Sequence, residues 1–290
     1  MFLFKECQYF EHQFPKPQYL GAKYLFRHWI TAYIDNEKIN TVLDAFGGSQ
    51  SIAYCFKQNG FKTITNDLLN FNNQIGLALV ENDHEVLNED DLSVLFSKNR
   101  NPDSFKLFEE LYTDIFFKRS ETQFLDAFRS NVDFLNNRYK KALAISIMNR
   151  SMTRKVTMGH FAHTKAMDYA VNPDRIKRNR SLTKPLKEIF CELLPLYNQA
   201  VFSNNQDNRS FCENILDLLP SLKNIDLVYF DPPYCGSHAD YQSFYHLLET
   251  YTEYWKDKQF VNGTRKYAPK KYSGFEKKVD IVGSLNLMFE

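Results

Sequence analysis

Residues 39–67 limit the fold more than any other part of the chain. Residues 39–44 are rich in β-branched side chains, and residues 45–49 form a small-residue turn with two glycines. Residues 51–58 then have helical periodicity, and residues 61–65 form a second β-branched run. A strand, a glycine-containing turn, a helix and a second strand within about thirty residues predict the start of a doubly wound α/β domain.

The stretch that follows is predicted to be mainly helical. From about residue 103 to about residue 202, apolar side chains recur at helical spacing, and a buried-strand pattern returns only at residues 226–230. The sequence therefore predicts one α/β domain made of residues 1–75 and 206–290. A helical insertion at residues 76–205 separates its two segments.

The strongest chemical signal is Asp231-Pro232-Pro233-Tyr234, directly after the strand predicted at residues 226–230. The two prolines prevent the strand from continuing, and ligands of open α/β sheets bind at this carboxyl edge. The Asp231 carboxylate and the Pro232 carbonyl can accept hydrogen bonds from an exocyclic amino group, and Tyr234 can stack on a base. A plain turn after a strand is the alternative. The position and the residue types favour a site for an amine.

A second signal lies at the end of the first predicted strand. Gly47 and Gly48 follow Asp44, and Asp67 stands twenty-three residues further on (67−44) at the end of the next strand. Glycines allow close approach to a ligand, and an acidic side chain there suits the ribose hydroxyls of a nucleoside. The full glycine spacing of a dinucleotide site is absent, so a sulfonium nucleoside is favoured over a pyrophosphate.

A third element, Tyr19-Leu20-Gly21-Ala22-Lys23, precedes the first predicted strand and on its own indicates only a turn. Together and in this order, the three elements resemble the Dam-like DNA adenine-N6 methyltransferases (D12 class, alpha group). The resemblance covers about residues 17–290. It implies a Rossmann-like methyltransferase sheet with a DNA-recognition insertion at residues 76–205.

The resemblance also implies a reaction and a set of site residues. The expected reaction moves a methyl group from S-adenosyl-L-methionine to adenine N6 in double-stranded DNA, as the modification step of a type II restriction system. The implied catalytic residues are Asp231, Pro232, Pro233 and Tyr234. The implied cofactor-binding residues are Tyr19, Gly21, Lys23, Asp44, Phe46, Gly47, Gly48, Ser49, Asp67, Glu213 and Asp231.

The expected mechanism is direct transfer to an adenine rotated out of the duplex into a pocket beneath Tyr234. Cytosine-N4 enzymes usually carry Ser in place of Asp231, and RNA or protein-glutamine enzymes usually begin this motif with Asn. Both readings are therefore less favoured.

Positive charge is concentrated in the insertion. The whole chain has a net charge of +1, yet residues 150–187 contain ten basic residues and two acidic ones. A solvated helix face is the alternative, but this segregation favours contact with DNA, mostly with phosphates. The residues predicted to bind DNA are Arg150, Arg154, Lys155, Arg175, Lys177, Arg178, Arg180 and Lys184.

The remaining sequence features indicate a cytoplasmic protein without a metal. The five cysteines are widely spaced and contain no Cys-x-x-Cys pair, which favours reduced thiols. The N-terminus lacks a signal-peptide pattern, and no apolar run reaches membrane-spanning length.

The C-terminal part departs from the family. Only 56 residues follow Tyr234 (290−234), where the family's fold continues with three more strands. We expect a sheet that is incomplete at the C-terminus, with the strand before Asp231 at its edge, and favour a truncated chain. A split enzyme completed by a second polypeptide, or a minimal form, stays open. A cognate restriction endonuclease is a further expected partner. The alternative function is an inactive remnant that binds DNA or cofactor without turnover.

Overall fold

The computed structural model describes residues 11–34, 38–156, 159–234, 240–255, 257–268 and 270–289. Within these ranges the strands are β1 (Thr41–Asp44), β2 (Lys62–Asn66), β3 (Arg209–Phe211), β4 (Leu227–Tyr229), β5 (Gln259–Phe260) and β6 (Tyr267–Ala268). The α-helices are α1 (Arg27–Thr31), α2 (Ser51–Gln58), α3 (Asn70–Ile75), α4 (Glu89–Leu95), α5 (Leu107–Tyr112), α6 (Arg119–Val132), α7 (Arg138–Arg154), α8 (Ala166–Ala170), α9 (Pro173–Arg178), α10 (Leu186–Ala200), α11 (Ile215–Leu218), α12 (Tyr241–Glu253) and α13 (Ile281–Phe289). A π-helix spans Gly76–Glu81, and short 3₁₀ helices span Tyr24–Phe26, Arg180–Leu182 and Leu219–Ser221.

Four parallel strands form the main sheet in the order β3-β2-β1-β4. Val42 of β1 lies opposite Thr63 of β2 on one side and Leu227 of β4 on the other. Within the described residues β4 is the edge strand, as expected, and Val228 is 40% exposed. All four strands point the same way, so the loops that follow them lie at one edge of the sheet.

Helices cover both faces of this sheet, because successive strand residues point to opposite sides. Val42 packs with residues of α1 and α2 on one face. Leu43 packs on the other face with α11, with Phe275 and with partly buried residues of α13. This layering confirms the predicted doubly wound α/β fold.

The helices of the insertion share one large apolar core with α2, α3 and α12. Leu143 and Ile147 of α7 are fully buried in it, and the ring of Phe108 meets the ring of Tyr251 edge-on at 5.1 Å. The division into residues 1–75 with 206–290 and residues 76–205 remains an interpretation of the sequence. No helix in the described part of the chain combines the length and apolar character needed to cross a lipid bilayer.

Several local predictions are confirmed, and others need correction. The helix predicted at residues 51–58 is α2, and the predicted strands correspond to β1, β2 and β4. The helical spacing predicted from about residue 103 is interrupted early, because α5 ends at Tyr112 and Asp114 adopts a φ of 61°. Strand β3 was not predicted, since its three residues gain strand structure only by pairing with β2.

Candidate active site

The loops that follow β1, β2 and β4 meet at one cavity of about 520 Å³. This volume lies within the range of about 300–1,000 Å³ that is typical of small-molecule sites. The sequence-predicted residues that line it are Tyr19, Gly21, Lys23, Asp44, Phe46, Gly47, Gly48, Ser49, Asp67, Asp231, Pro232, Pro233 and Tyr234. The three sequence elements therefore come together in space.

Asp44 at the end of β1 is a buried carboxylate with an unused acceptor. The residue is 1% exposed, and its Oδ1 atom has no hydrogen-bond partner among the described residues. Burial raises the pKa of Asp44 to about 7, and the nearby charges of Asp231 and Asp67 act in the same direction. A buried unpaired carboxylate is costly, so this group is suited to a positively charged ligand atom.

The turn after Asp44 depends on its two glycines. A Cβ on Gly47 would lie 2.7 Å from Thr65 Oγ1 and would also meet the Gln50 side chain. Gly48 has a φ of +49°, and a Cβ there would lie 3.3 Å from the Tyr19 ring. The turn can therefore follow the cavity wall closely only without side chains at these positions.

Asp67 after β2 is tied to this glycine turn. Its Oδ2 accepts a hydrogen bond from the Gly48 backbone N–H at 2.7 Å, and its Oδ1 accepts one from the Leu69 N–H at 2.8 Å. The Asn72 side chain donates a third bond at 3.2 Å. Burial raises the pKa of Asp67, and these hydrogen bonds act against the shift.

Tyr19 forms one wall of the cavity through an aromatic stack. Its ring lies nearly parallel to the rings of Tyr241 and Tyr245 of α12, with centroids 5.6 Å and 4.8 Å away. The Leu20 backbone N–H donates to the Tyr245 hydroxyl at 2.8 Å. A Cβ on Gly21, whose φ is +75°, would lie 3.0 Å from the Tyr241 hydroxyl. Sequence reasoning missed both tyrosines of α12, although their i, i+4 spacing places them on one helix face.

Lys23 and Tyr234 both contact the carboxylate of Asp231. The Lys23 Nζ donates to Asp231 Oδ2 at 2.5 Å and to the Tyr234 hydroxyl at 2.8 Å. The Tyr234 hydroxyl donates to Asp231 Oδ1 at 2.8 Å. Burial lowers the pKa of Lys23, but its hydrogen bonds to Asp231 and Tyr234 outweigh that effect, so the pKa is raised. Both oxygens of Asp231 are therefore engaged.

Residues 270–277 close another side of the cavity, and the sequence analysis did not include them. Lys271 Nζ donates to the Leu68 carbonyl at 3.2 Å and to Glu249 Oε1 of α12 at 3.0 Å. Tyr272 and Glu276 also line the cavity. In the sequence, positive charge was the only feature that distinguished this stretch. Its contacts at the cavity could not be predicted, because its partners lie far away along the chain.

Glu213 lies in the loop after β3, at the same edge of the sheet. Its side chain is exposed and is not among the residues that line the cavity. Its backbone N–H and carbonyl bond to the Asn66 side chain, each at 3.1 Å. A cofactor-binding role for Glu213 stays a prediction.

The eight residues predicted to bind DNA fall into three groups. Four of them line a second, separate cavity, and these are Arg150, Arg154, Arg175 and Arg178. Lys177 and Arg180 are exposed elsewhere on the insertion. Lys155 forms a largely buried ion pair with Glu121 at 2.5 Å, and Lys184 pairs with Glu188 at 3.1 Å. Contact of these eight residues with DNA stays a prediction.

A parallel α/β sheet with a cavity at its carboxyl edge is the arrangement in which doubly wound proteins bind their ligands. Residues 19–289 match the family of D12 class N6 adenine-specific DNA methyltransferases. The Type II methyltransferase M2.HphI of Haemophilus parahaemolyticus is 36% identical over 245 residues, which cover 82% of this chain and 71% of that protein. The chain therefore belongs to the D12 class family, which confirms the resemblance found in the sequence.

Proposed function

We propose that this chain methylates adenine N6 in double-stranded DNA with S-adenosylmethionine as donor, and that Asp231 holds the target amino group. The observation that supports the proposal best is the meeting of Asp231, Asp44 and Asp67 in one cavity. The three carboxylates follow three different strands and offer acceptors for a cationic nucleoside and for an amino nitrogen that gains positive charge, although four lysines also line the cavity.

The residues of the cavity fit S-adenosylmethionine, which the family uses. Asp44 has a buried, unpaired oxygen for the ammonium group of the methionine part. Asp67 stands where parallel α/β folds bind ribose hydroxyls, and the turn with Gly47 and Gly48 leaves room for close backbone approach. When bound, the cofactor supplies an electrophilic methyl group.

The protein's own part in the reaction is to hold and orient the acceptor. The Asp231 carboxylate and the Pro232 carbonyl accept hydrogen bonds from the adenine amino group, which favours charge development on its nitrogen. Lys23 holds Asp231 through the 2.5 Å ion pair. The Tyr234 hydroxyl bonds to Asp231, so the ring has to rotate before it can stack on a base. Tyr234 is 53% exposed, which favours this rotation.

The biological setting proposed is a type II restriction-modification system. M2.HphI carries the name of a Type II methyltransferase, which supports this setting for its relative. A cognate endonuclease, and a second polypeptide that pairs with the sheet, stay predictions. Cys55, Cys191 and Cys212 are free thiols, which supports a reducing cytoplasm, while the other two cysteines lie outside the described residues.

The test is a labelling assay with a matched control. Wild type, Asp231→Ala and Asp217→Ala are incubated with radiolabelled S-adenosylmethionine and mixed-sequence unmethylated DNA, and the labelled nucleoside is identified. Asp217 is exposed on α11 and lies outside the cavity, so its variant loses the same charge without touching the site.

Label in N6-methyl-2′-deoxyadenosine for wild type and Asp217→Ala, but not for Asp231→Ala, is the expected result. Near-normal labelling by Asp231→Ala would contradict the role given to that residue. Label in N4-methylcytosine would show that the target base is cytosine and not adenine. Thermal unfolding of each variant checks that the fold is retained.

A further inference from the structure

The first residue of α12, Tyr241, contributes an aromatic ring and a hydroxyl to the candidate active site. The residue is half-buried and lines the cavity. Its ring stacks on the ring of Tyr19 at 5.6 Å, and the Tyr19 ring lies against Gly48 of the glycine turn. Tyr241 therefore extends the Tyr19 wall of the cavity towards the start of α12.

The Tyr241 hydroxyl lies near the groups that hold the Asp231 carboxylate. A Cβ on Gly21 would lie 3.0 Å from this hydroxyl, and the Gly21 carbonyl accepts a hydrogen bond from Lys23 Nζ at 3.1 Å. The same Nζ atom donates to Asp231 at 2.5 Å. Gly21 is therefore a neighbour of both the hydroxyl and the ion pair, which places the hydroxyl on the side of the cavity where the methyl acceptor has to bind.

This hydroxyl is a free hydrogen-bond donor in the described part of the chain. Among the described residues it has no hydrogen-bond partner, whereas the hydroxyl of Tyr245, one helical turn further on, accepts the Leu20 backbone N–H at 2.8 Å. Burial raises the pKa of Tyr241, although the charge of Lys23 acts against the shift. The hydroxyl therefore keeps its proton and can donate it to an acceptor on a bound ligand.

The position of Tyr241 is fixed by the capped start of α12. The Asp240 side chain accepts a backbone N–H of the first helical turn at 3.1 Å, and Lys270 pairs with this carboxylate. The Gln242 side chain donates to the Lys271 carbonyl and accepts the Lys271 backbone N–H at 3.1 Å. The start of the helix is thus tied to the segment that closes the cavity, so a fixed element presents the hydroxyl.

We infer that the Tyr241 hydroxyl donates a hydrogen bond to a ring nitrogen of the target adenine, next to the amino group held by Asp231. The amino group of adenine is flanked by the ring nitrogens N1 and N7, which only accept hydrogen bonds. Asp231 and the Pro232 carbonyl are acceptors, so they hold the amino group but cannot pair with these nitrogens. A neutral donor beside them completes the recognition of the base. The inference rests on the proposed function, because the target adenine enters this cavity only as the methyl acceptor.

The test compares Tyr241→Phe with wild type on three duplexes. Each duplex carries the site that wild type methylates, with adenine, 1-deazaadenine or 7-deazaadenine at the target position. Each deaza base lacks one ring nitrogen and keeps the amino group. Tyr245→Phe is the matched control, because it removes a hydroxyl from the same helix face that bonds to Leu20 and does not line the cavity.

Tyr241→Phe is expected to lower kcat/KM on adenine by about three- to tenfold, which is the effect of losing one neutral hydrogen bond. On one of the two deaza duplexes, wild type and Tyr241→Phe should be equally fast, because the bond is already absent there. The affinity of Tyr241→Phe for S-adenosylmethionine, measured by calorimetry, should equal that of wild type. Tyr245→Phe should be less stable to heat, and its relative rates on the three duplexes should match those of wild type.

Two results would overturn the inference and leave the proposed function standing: an equal loss on all three duplexes, or no loss on any of them. An equal loss together with weaker binding of S-adenosylmethionine would show that the hydroxyl contacts the methyl donor instead of the base. A wild-type chain that methylates no adenine in DNA would refute the proposed function, and the inference with it.

Discussion

The ammonium group of Lys23 lies 2.5 Å from the carboxylate of Asp231, although the two residues are 208 positions apart in the chain. This ion pair joins the N-terminal element to the Asp-Pro-Pro-Tyr motif. It also explains how a carboxylate on a short loop after an edge strand is held in one orientation.

The first prediction concerns this ion pair. Lys23→Met should lower kcat by about ten- to a hundredfold, because a misplaced catalytic group loses much of its orientation advantage. Affinity for S-adenosylmethionine should change less than kcat, and Lys23→Arg should restore part of the rate. The control is Lys16→Met, which removes an exposed lysine outside the cavity. A wild-type kcat in Lys23→Met would show that other groups orient Asp231.

The second prediction concerns pH and follows from Asp44, whose pKa is raised by burial from 3.8 to about 7. Between these values the folded state holds a proton that the unfolded state has lost, so Asp44 makes the ligand-free protein less stable as pH rises. Affinity for the cationic cofactor should rise through the same window, as the carboxylate ionises.

Urea unfolding and cofactor titration at about pH 5.5 and about pH 8 test this for wild type and Asp44→Asn. The variant should gain stability relative to wild type at the higher pH and should lose the pH dependence of cofactor affinity. The same pH dependence in both proteins would rule out Asp44 as the titrating group. Asp217→Asn serves as the control for loss of one carboxylate.

The third prediction concerns the glycine turn. Gly47→Ala should lower the free energy of unfolding by about 1–3 kcal/mol and weaken cofactor binding, because the added methyl group overlaps Thr65 and Gln50. Gly283→Ala in α13 meets nothing within 4 Å and should be neutral or stabilising by up to about 1 kcal/mol. Calorimetry and cofactor titration measure both effects. If Gly47→Ala and Gly283→Ala had the same effect on stability and cofactor binding, steric overlap at Gly47 would not be the cause.

The fourth prediction concerns the segment that closes the cavity. The Glu249 side chain is fully buried and accepts bonds from the Asn70 and Phe71 backbone N–H groups and from Lys271. Burial raises the pKa of Glu249. Lys271→Met should lower the free energy of unfolding by about 1–3 kcal/mol near pH 8, because it removes the counter-charge of a buried carboxylate. The loss is limited because Lys271 itself is one-third exposed to solvent.

The loss in Lys271→Met should be smaller near pH 5, where Glu249 can take up a proton and avoid the unpaired charge. Lys270→Met is the matched control, because Lys270 pairs with the more exposed Asp240. Denaturant unfolding at the two pH values measures the difference. A pH-independent loss would mean that packing of the lysine side chain, and not its charge, stabilises the segment.

Much of the framework was predictable because it depends on neighbours in the chain. Strand β1, helix α2 and strand β2 follow from periodicity over 4–8 residues and from a glycine turn. The two prolines after Asp231 mark the end of a strand for the same local reason. Strand β3 escaped prediction, since three residues carry too little pattern and their structure depends on pairing with β2.

By itself the sequence determined the fold class, the family and the order of the motifs, because each of these depends on patterns among residues that are close together in the chain. Only the tertiary structure decided that Tyr19 stacks on Tyr241 and Tyr245, that Lys271 closes the cavity against Glu249, and that four arginines of the basic run share a second cavity. The physical reason is that these contacts join distant parts of the chain. They form only once strand register and core packing have brought the loops to one edge of the sheet, and no local periodicity records that arrangement.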